Sequence, residues 1–323
     1  MSIVLAMNLN SKHFLSTSQL SPDEIESIFD RARLFKEEFT KRGRFNHLVT
    51  GDGIDQKVLV AAFFEPSTRT RLSFQLAAYR IGIKATTFDN LAISSVSKGE
   101  SLADTMRNIA AMGPDVLCVR YGASDELDEA ISELECPVIN AGSGAREHPS
   151  QALLDAFTIL ENRGSLDQQR VVIVGDVLHS RVANSNLTLL MQMGAEVAYC
   201  APPEFAPKDG RWKSVQRFDD LEEALRWATV CMGLRIQKER HTSKGIGLSM
   251  AEYRERYRIG TSQLEHLQKD GLLLHPGPVI RGIEISSAVL RDPRNKILDQ
   301  VSNGVFIRAA LLTAMLGLEV NKQ

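Results

Sequence analysis

Apolar and polar positions along the chain alternate between two periods. Short unbroken apolar runs at 58–64, 85–88, 116–119 and 138–140 read as buried strands. Between them, apolar residues recur at helical spacing over 22–40, 68–81, 101–111 and 125–134. Pro149-Ser150-Gln151 opens a further apolar helix over 152–160, which stops near Asn162-Arg163-Gly164. The alternation then resumes, with strands expected at 171–174, 196–200, 230–234 and 272–274 and helices at 183–193 and 221–228. The segment 300–316 is apolar on more than one face and must pack on other elements. Residues 241–257, rich in Lys, Arg, Gly and Ser, read as a mobile loop near a site. Strands and helices alternating in this way predict an α/β protein with parallel sheets.

Composition narrows the class. At 323 residues and 43% hydrophobic content, the chain has material for two domains. Its 38 basic and 40 acidic residues leave a net charge of −2, so neither nucleic acid nor an anionic membrane surface is an expected partner. Cys118, Cys136, Cys200 and Cys231 are far apart with no C-x-x-C spacing, which argues against zinc sites and disulfide frameworks. They read as reduced thiols in or near apolar strands. The first residues lack the basic region and long apolar core of a signal peptide. No stretch approaches the ~18 apolar residues that a membrane span needs. The expectation is a soluble, cytoplasmic chain with no cofactor and no metal.

Candidate chemistry begins where the first strong strand pattern ends. In Phe63-Phe64-Glu65-Pro66-Ser67-Thr68-Arg69-Thr70-Arg71-Leu72-Ser73-Phe74 an apolar run breaks at Glu65-Pro66. Two residue types favoured as N-caps follow, and then a helical pattern. Unpartnered N–H groups and the macrodipole at a helix start attract anions. Three hydroxyls and two arginines at that point suit a phosphate, whose oxygens guanidinium can match in bidentate fashion. A capped surface helix with solvated arginines is the bland alternative.

Six other places could carry chemistry. The small polar loop 94–101 holds one cation, Lys98, able to reach a bound anion. Arg120 stands just past a strand expected over 115–119, and the carboxyl ends of parallel strands face ligand crevices. His148 and Gln151 bracket another helix start, three residues apart, where both side chains could reach one carbonyl. After Val171-Val172-Ile173-Val174-Gly175-Asp176 the dinucleotide fingerprint G-x-G-x-x-G is missing, so Arg181 reads better as a carboxylate clamp than as part of a nucleotide site. Further on, Arg235 and Gln237 follow a strand, and the prolines of His275-Pro276-Gly277-Pro278 rigidify a turn whose carbonyls could accept hydrogen bonds from an amide.

These strings, in this order over nearly the whole chain, resemble the aspartate/ornithine carbamoyltransferase family, in its aspartate branch of bacterial type. The match rests on Ser67-Thr68-Arg69-Thr70-Arg71, Ser94 to Ser101, His148-Pro149-Ser150-Gln151-Ala152-Leu153-Leu154-Asp155, Arg235 to Gln237 and His275 to Pro278. The ornithine branch tends to carry a Ser-Met-Gly loop and His-Cys-Leu-Pro, neither of which is found here. The resemblance implies two doubly wound parallel-sheet domains. Residues 1–150, joined by a returning C-terminal helix over 297–323, would bind carbamoyl phosphate, and residues 151–296 would bind aspartate. It implies transfer of the carbamoyl group of carbamoyl phosphate to the amine of L-aspartate, a step of de novo pyrimidine biosynthesis. A homotrimer with shared active sites is implied as well. A regulatory chain or a dihydroorotase-type partner is compatible with it.

Carried over motif by motif, Ser67, Thr68, Arg69, Thr70 and Arg120 would hold the phosphate, with Lys98 supplied by a neighbouring copy. His148, Thr70 and Arg120 would polarise the carbamoyl oxygen. Gln151 and the Pro276–Pro278 turn would hold its amide. Arg181, Arg235 and Gln237, with Lys98, would bind aspartate. Two departures stand out: Ile280 replaces the family's usual Asn in the Asn-Arg-Gly string, and Ser143 replaces an Asp between Gly142 and Gly144. A scaffolding homologue or a nucleotide-dependent dehydrogenase would need neither this set of cations nor this order of motifs.

Overall fold

The computed structural model describes residues 3–5, 7, 9–88, 99–236 and 249–322. The chain begins with β1 (Ile3–Leu5), α1 (Pro22–Arg42), β2 (Val49–Thr50) and β3 (Val58–Phe63). It continues through α2 (Thr68–Ile81), β4 (Lys84–Phe88), α3 (Leu102–Ala111), β5 (Val116–Tyr121), α4 (Ser124–Ser132) and β6 (Val138–Ser143). Helix α5 (Pro149–Arg163) leads to β7 (Arg170–Val174), α6 (Arg181–Gln192), β8 (Glu196–Cys200), β9 (Gln216–Phe218), α7 (Leu221–Trp227) and β10 (Val230–Gly233). The remainder is α8 (Met250–Tyr257), α9 (Thr261–Leu264), β11 (Leu272–Leu274), α10 (Ile297–Met315) and β12 (Glu319–Lys322). Every apolar run read as a strand is one. The four cysteines are free, as expected, and Cys118, Cys200 and Cys231 are buried.

Two compact units result: Met1–Leu154 with Val301–Gln323, and Asp155–Gln300. The first holds a four-stranded sheet in the order β4-β3-β5-β6, with every pair parallel. The second holds a five-stranded sheet ordered β11-β10-β7-β8-β9, also parallel throughout. Both orders are doubly wound. In the first unit the chain passes from β3 to β4 on one side, then crosses back to lay β5 on the other. In the second it runs β7, β8, β9 and then returns to lay β10 against β7. Each sheet therefore has one switch point, and ligands of doubly wound folds bind outside the carboxyl ends of the strands there.

The C-terminal helix belongs to the first unit from Val301 onward. There Phe306 packs on Phe39 and Phe45, with ring centroids 5.8 and 6.0 Å apart. Thr313 accepts a hydrogen bond from the fully buried Arg31 at 2.9 Å. Burial draws the Arg31 guanidinium down to about 10.

Three features differ from the sequence reading. A small antiparallel sheet, β1-β12-β2, forms from strands too short to leave a periodic signal. The loop expected over 241–257 is helical from Met250 to Tyr257, while 241–248 lie outside the described residues. Ser249 and Glu252 form a capping box there, and Tyr253 and Tyr257 bury one face of an otherwise charged helix. The strand expected to end before Arg120 runs through it to Tyr121. Among the described residues no helix is long and apolar enough to cross a membrane.

Candidate active site

The first switch point lies between the carboxyl ends of β3 and β5, where Phe63 pairs with Arg120. Beyond Phe63 the chain turns through Glu65 and Pro66, and Ser67, in extended conformation, becomes the N-cap of α2. Its hydroxyl makes no capping hydrogen bond, so the side chain does not shield the helix's first amides. Ser67 takes the N-cap position, one of the two the sequence offers, and Thr68 is the first helical residue. Thr68 and Arg69 are exposed while Thr70 is buried, and the Ser73 hydroxyl donates to the Thr70 carbonyl at 2.9 Å.

Arg120 owes its position to an irregularity. The pairing of β5 with β6 shifts register between Val119 and Tyr121, and such a bulge re-aims the side chain within it. Its Nε lies 3.3 Å from the Glu65 carboxylate, and Nη1 makes a long contact of 3.5 Å to the Ala141 carbonyl. Glu65 was not foreseen as its partner, because the two are far apart in sequence.

Past β6 the chain turns back on itself, with the Ser143 amide donating to the Glu147 carbonyl at 2.9 Å. Ser143 is buried, and its hydroxyl accepts from the Asn140 amide at 3.0 Å, so the position of the missing carboxylate is filled by a neutral contact. His148 follows, 5% exposed, and Nε2 stands 3.5 Å from the Thr70 hydroxyl. The His148 carbonyl accepts the amides of Gln151 and Ala152, which starts α5 and buries Gln151. Thr70 and His148 are thus brought together within the first unit.

In the second unit the switch point separates β7 from β10. Gly175 directly follows β7, with φ +118°; a Cβ there would lie 3.0 Å from the Tyr253 hydroxyl and 3.1 Å from the Leu234 carbonyl. Only glycine lets this turn approach the end of β10 so closely. Next, the buried Asp176 accepts from the His179 amide at 3.3 Å and contacts its Nδ1 at 2.8 Å. Ser180 then caps α6 by accepting the Ala183 amide, and Arg181 is the first helical residue, 6% exposed. A buried cation at a helix N-terminus opposes the macrodipole. Such a placement suits an anion-binding role. Arg235 lies two residues beyond the end of β10 and is half-buried.

The His275–Pro278 turn follows β11 and is held by a buried relay. The His275 amide donates to Gln300 Oε1 at 2.9 Å, Gln300 Nε2 donates to Asp155 Oδ1 at 2.7 Å, and Asn186 donates to Asp155 Oδ2 at 2.9 Å. The Gly277 amide donates to His275 Nδ1 at 2.9 Å, which places any proton of a neutral ring on Nε2. Pro276 and Gly277 are half-buried and Pro278 is exposed. Sequence reasoning gave Asp155, Asn186 and Gln300 no role. Asp155 closes the string that begins at His148, which was its only signal. Lys98 and Gln237 lie outside the described residues. Among the described residues no group of three or more His, Cys, Asp and Glu could hold a metal ion.

Two doubly wound units, each with cationic and polar side chains at its switch point, define a two-substrate α/β protein in which one half suits a phosphorylated compound. The chain belongs to the aspartate/ornithine carbamoyltransferase family. The family's carbamoyl-P binding domain matches residues 12–161 and its Asp/Orn binding domain matches residues 167–315. The chain is 42% identical over 310 residues to the aspartate carbamoyltransferase catalytic subunit of Helicobacter pylori strain Shi470, covering 94% of this chain and 98% of that one. It is 41% identical over 317 residues to the corresponding subunit of Halothermothrix orenii, covering 98% and 99%. Among solved structures, the Trypanosoma cruzi aspartate transcarbamoylase complex with carbamoyl phosphate and aspartate superimposes with a TM-score of 0.83 at 30% identity, covering 95% and 97%.

Proposed function

We propose that this chain transfers the carbamoyl group of carbamoyl phosphate to the amine of L-aspartate, yielding N-carbamoyl-L-aspartate and phosphate for pyrimidine biosynthesis. The observation that carries this reading is that Arg120 and the start of α2 stand at the first switch point and Arg181 and Arg235 at the second, in a chain 42% identical to an aspartate carbamoyltransferase catalytic subunit. The residues assigned to the phosphate lie in the first unit, and Arg181 and Arg235, assigned to aspartate, lie in the second.

The phosphate rests on the first amides of α2 and on Ser67, Thr68, Arg69 and Thr70, with Arg120 adding charge. Support comes from the helix start that the Ser67 hydroxyl leaves uncapped. Glu65 engages Nε of Arg120 and so orients the guanidinium toward a ligand. The deprotonated aspartate amine attacks the carbamoyl carbon, and the carbonyl oxygen takes up the negative charge. Collapse breaks the bond from carbon to the phosphate oxygen, phosphate leaves with that electron pair, and the amine's remaining extra proton passes to solvent or to the departing phosphate. His148, Thr70 and Arg120 stabilise the oxyanion; Gln151 and the carbonyls of the Pro276–Pro278 turn hold the carbamoyl NH2. Chemistry of this kind needs orientation and charge stabilisation rather than a protein nucleophile. Arg181 and Arg235 bind the two aspartate carboxylates, with Gln237 and Lys98 assisting.

The working form is a homotrimer in the cytoplasm. Leu72, Leu76 and Tyr79 are 51%, 37% and 58% exposed along one side of α2, an apolar stripe that a second copy would cover. Four free cysteines suit a reducing compartment. Incubation with carbamoyl phosphate and either L-aspartate or L-ornithine tests the activity. Carbamoylated product and phosphate with aspartate alone are expected; product with ornithine would overturn the reading of Arg235 and of the Pro276–Pro278 turn.

A further inference from the structure

We infer that Glu284 is a positioning residue for the aspartate half of the reaction, its buried carboxylate tying the segment that carries Arg235 to the turn that carries Ile280. The inference rests on the aspartate reading given to Arg235 above. Glu284 is 2% exposed. Its Oε1 accepts the Ile236 amide at 3.1 Å, and its Oε2 accepts the Ile280 amide at 2.8 Å. Ile236 directly follows Arg235. Ile280 is the residue that departs from the family's usual Asn, and here its backbone makes the polar contact.

The carboxylate is presented from a fixed backbone. The Glu284 carbonyl accepts the Ile259 amide at 2.8 Å, the Ser286 amide donates to the Ile259 carbonyl at 3.0 Å, and the Gly282 amide donates to the Ile285 carbonyl at 2.8 Å. Burial pushes the Glu284 carboxyl up, while the two amides and the charge of Arg235 draw it back down. Retaining an acid in such a place is costly, and a merely structural link between two backbone segments does not require a charge. A carboxylate does what no other side chain of this length can. It offers two acceptor oxygens and no donor, so it satisfies two amides at once while facing a guanidinium. With the Ile236 amide released, the segment that follows β10 shifts and Arg235 moves with it; with the Ile280 amide released, that segment loses its tie to the turn. A small displacement of a substrate-orienting group is enough to slow the reaction.

Glu284→Gln and Glu284→Asp in the full chain test this. Gln keeps one acceptor but turns an NH2 toward the second amide. In Glu284→Gln the aspartate KM is expected to rise by about tenfold or more with kcat falling too, while carbamoyl phosphate affinity stays within about twofold. Hydrogen-exchange protection at the Ile236 and Ile280 amides should fall in the same variant. Glu284→Asp, with both acceptors kept on a shorter stem, should recover part of the loss. Unchanged aspartate saturation would overturn the inference, as would unchanged protection of the two amides. An equal weakening of both substrates together with a lowered Tm would mean that Glu284 only stabilises the fold, and would overturn it as well. Failure of the underlying reading looks different: the unaltered protein would then not turn over aspartate at all, while the exchange measurement would still report whether Glu284 ties the two segments.

Discussion

Thr70 and His148 meet at 3.5 Å although 78 positions separate them. His148 is buried, so it is held where an oxyanion donor is worth most, in surroundings of low dielectric. His148→Ala should therefore lower kcat by roughly 10²–10³ with only a modest change in aspartate KM. A kcat near that of the unaltered protein would remove His148 from the reaction. At this scale the chain displayed its charged and hydroxyl residues plainly, because Ser67 to Arg71 and His148 to Gln151 stand in compact strings. The residues that orient them were hidden. Glu65 shows its relation to Arg120, Gln300 to Asp155, and Glu284 to Ile236 only once distant segments are packed together.

Elements were legible where the apolar pattern was long. Strands β8 and β11 and helix α2 have the bounds read from the sequence, since each is flanked by an abrupt change in polarity. Helix α8 was not legible, because its charged residues mask a periodicity carried by Tyr253 and Tyr257 alone. The extension of β5 through Arg120 was missed for a related reason, a bulge having no periodic signature. The turn between β7 and α6 depends on one residue. Gly175→Ala would combine a positive φ with close approach to the Leu234 carbonyl, and should cost about 1–3 kcal/mol of stability. Because Leu234 precedes Arg235, the aspartate KM should rise in the same variant. Thermal unfolding and aspartate saturation together check this; a variant unchanged in both would show that the turn tolerates a Cβ.

For the whole molecule, the apolar stripe on α2 bears on assembly. Leu76 lies at its centre, between Leu72 and Tyr79, so a charge there would be buried without a partner if another copy covers the stripe. If the chain works as the proposed trimer with Lys98 reaching a neighbouring copy, Leu76→Glu should shift it toward monomer in sedimentation velocity, with loss of turnover. An intact trimer would take this face of α2 out of the interface. The parallel sheets were readable in outline because each is built from strand–helix repeats. The antiparallel sheet β1-β12-β2 was not, since it joins the two ends of the chain through strands of two to four residues.

What the sequence by itself determined is local: where strands and helices lie, which chemical groups stand at their ends, and to which family the chain belongs. Hydrophobic period and short motifs carry that information within a few residues. Only the tertiary structure decided the strand orders that create two switch points, the bulge that aims Arg120, and the partners of Arg120, His275 and Ile280. These depend on parallel pairing and on side chains far apart in the chain, whose contacts are chosen by burial and by satisfaction of buried polar groups rather than by any neighbouring residue.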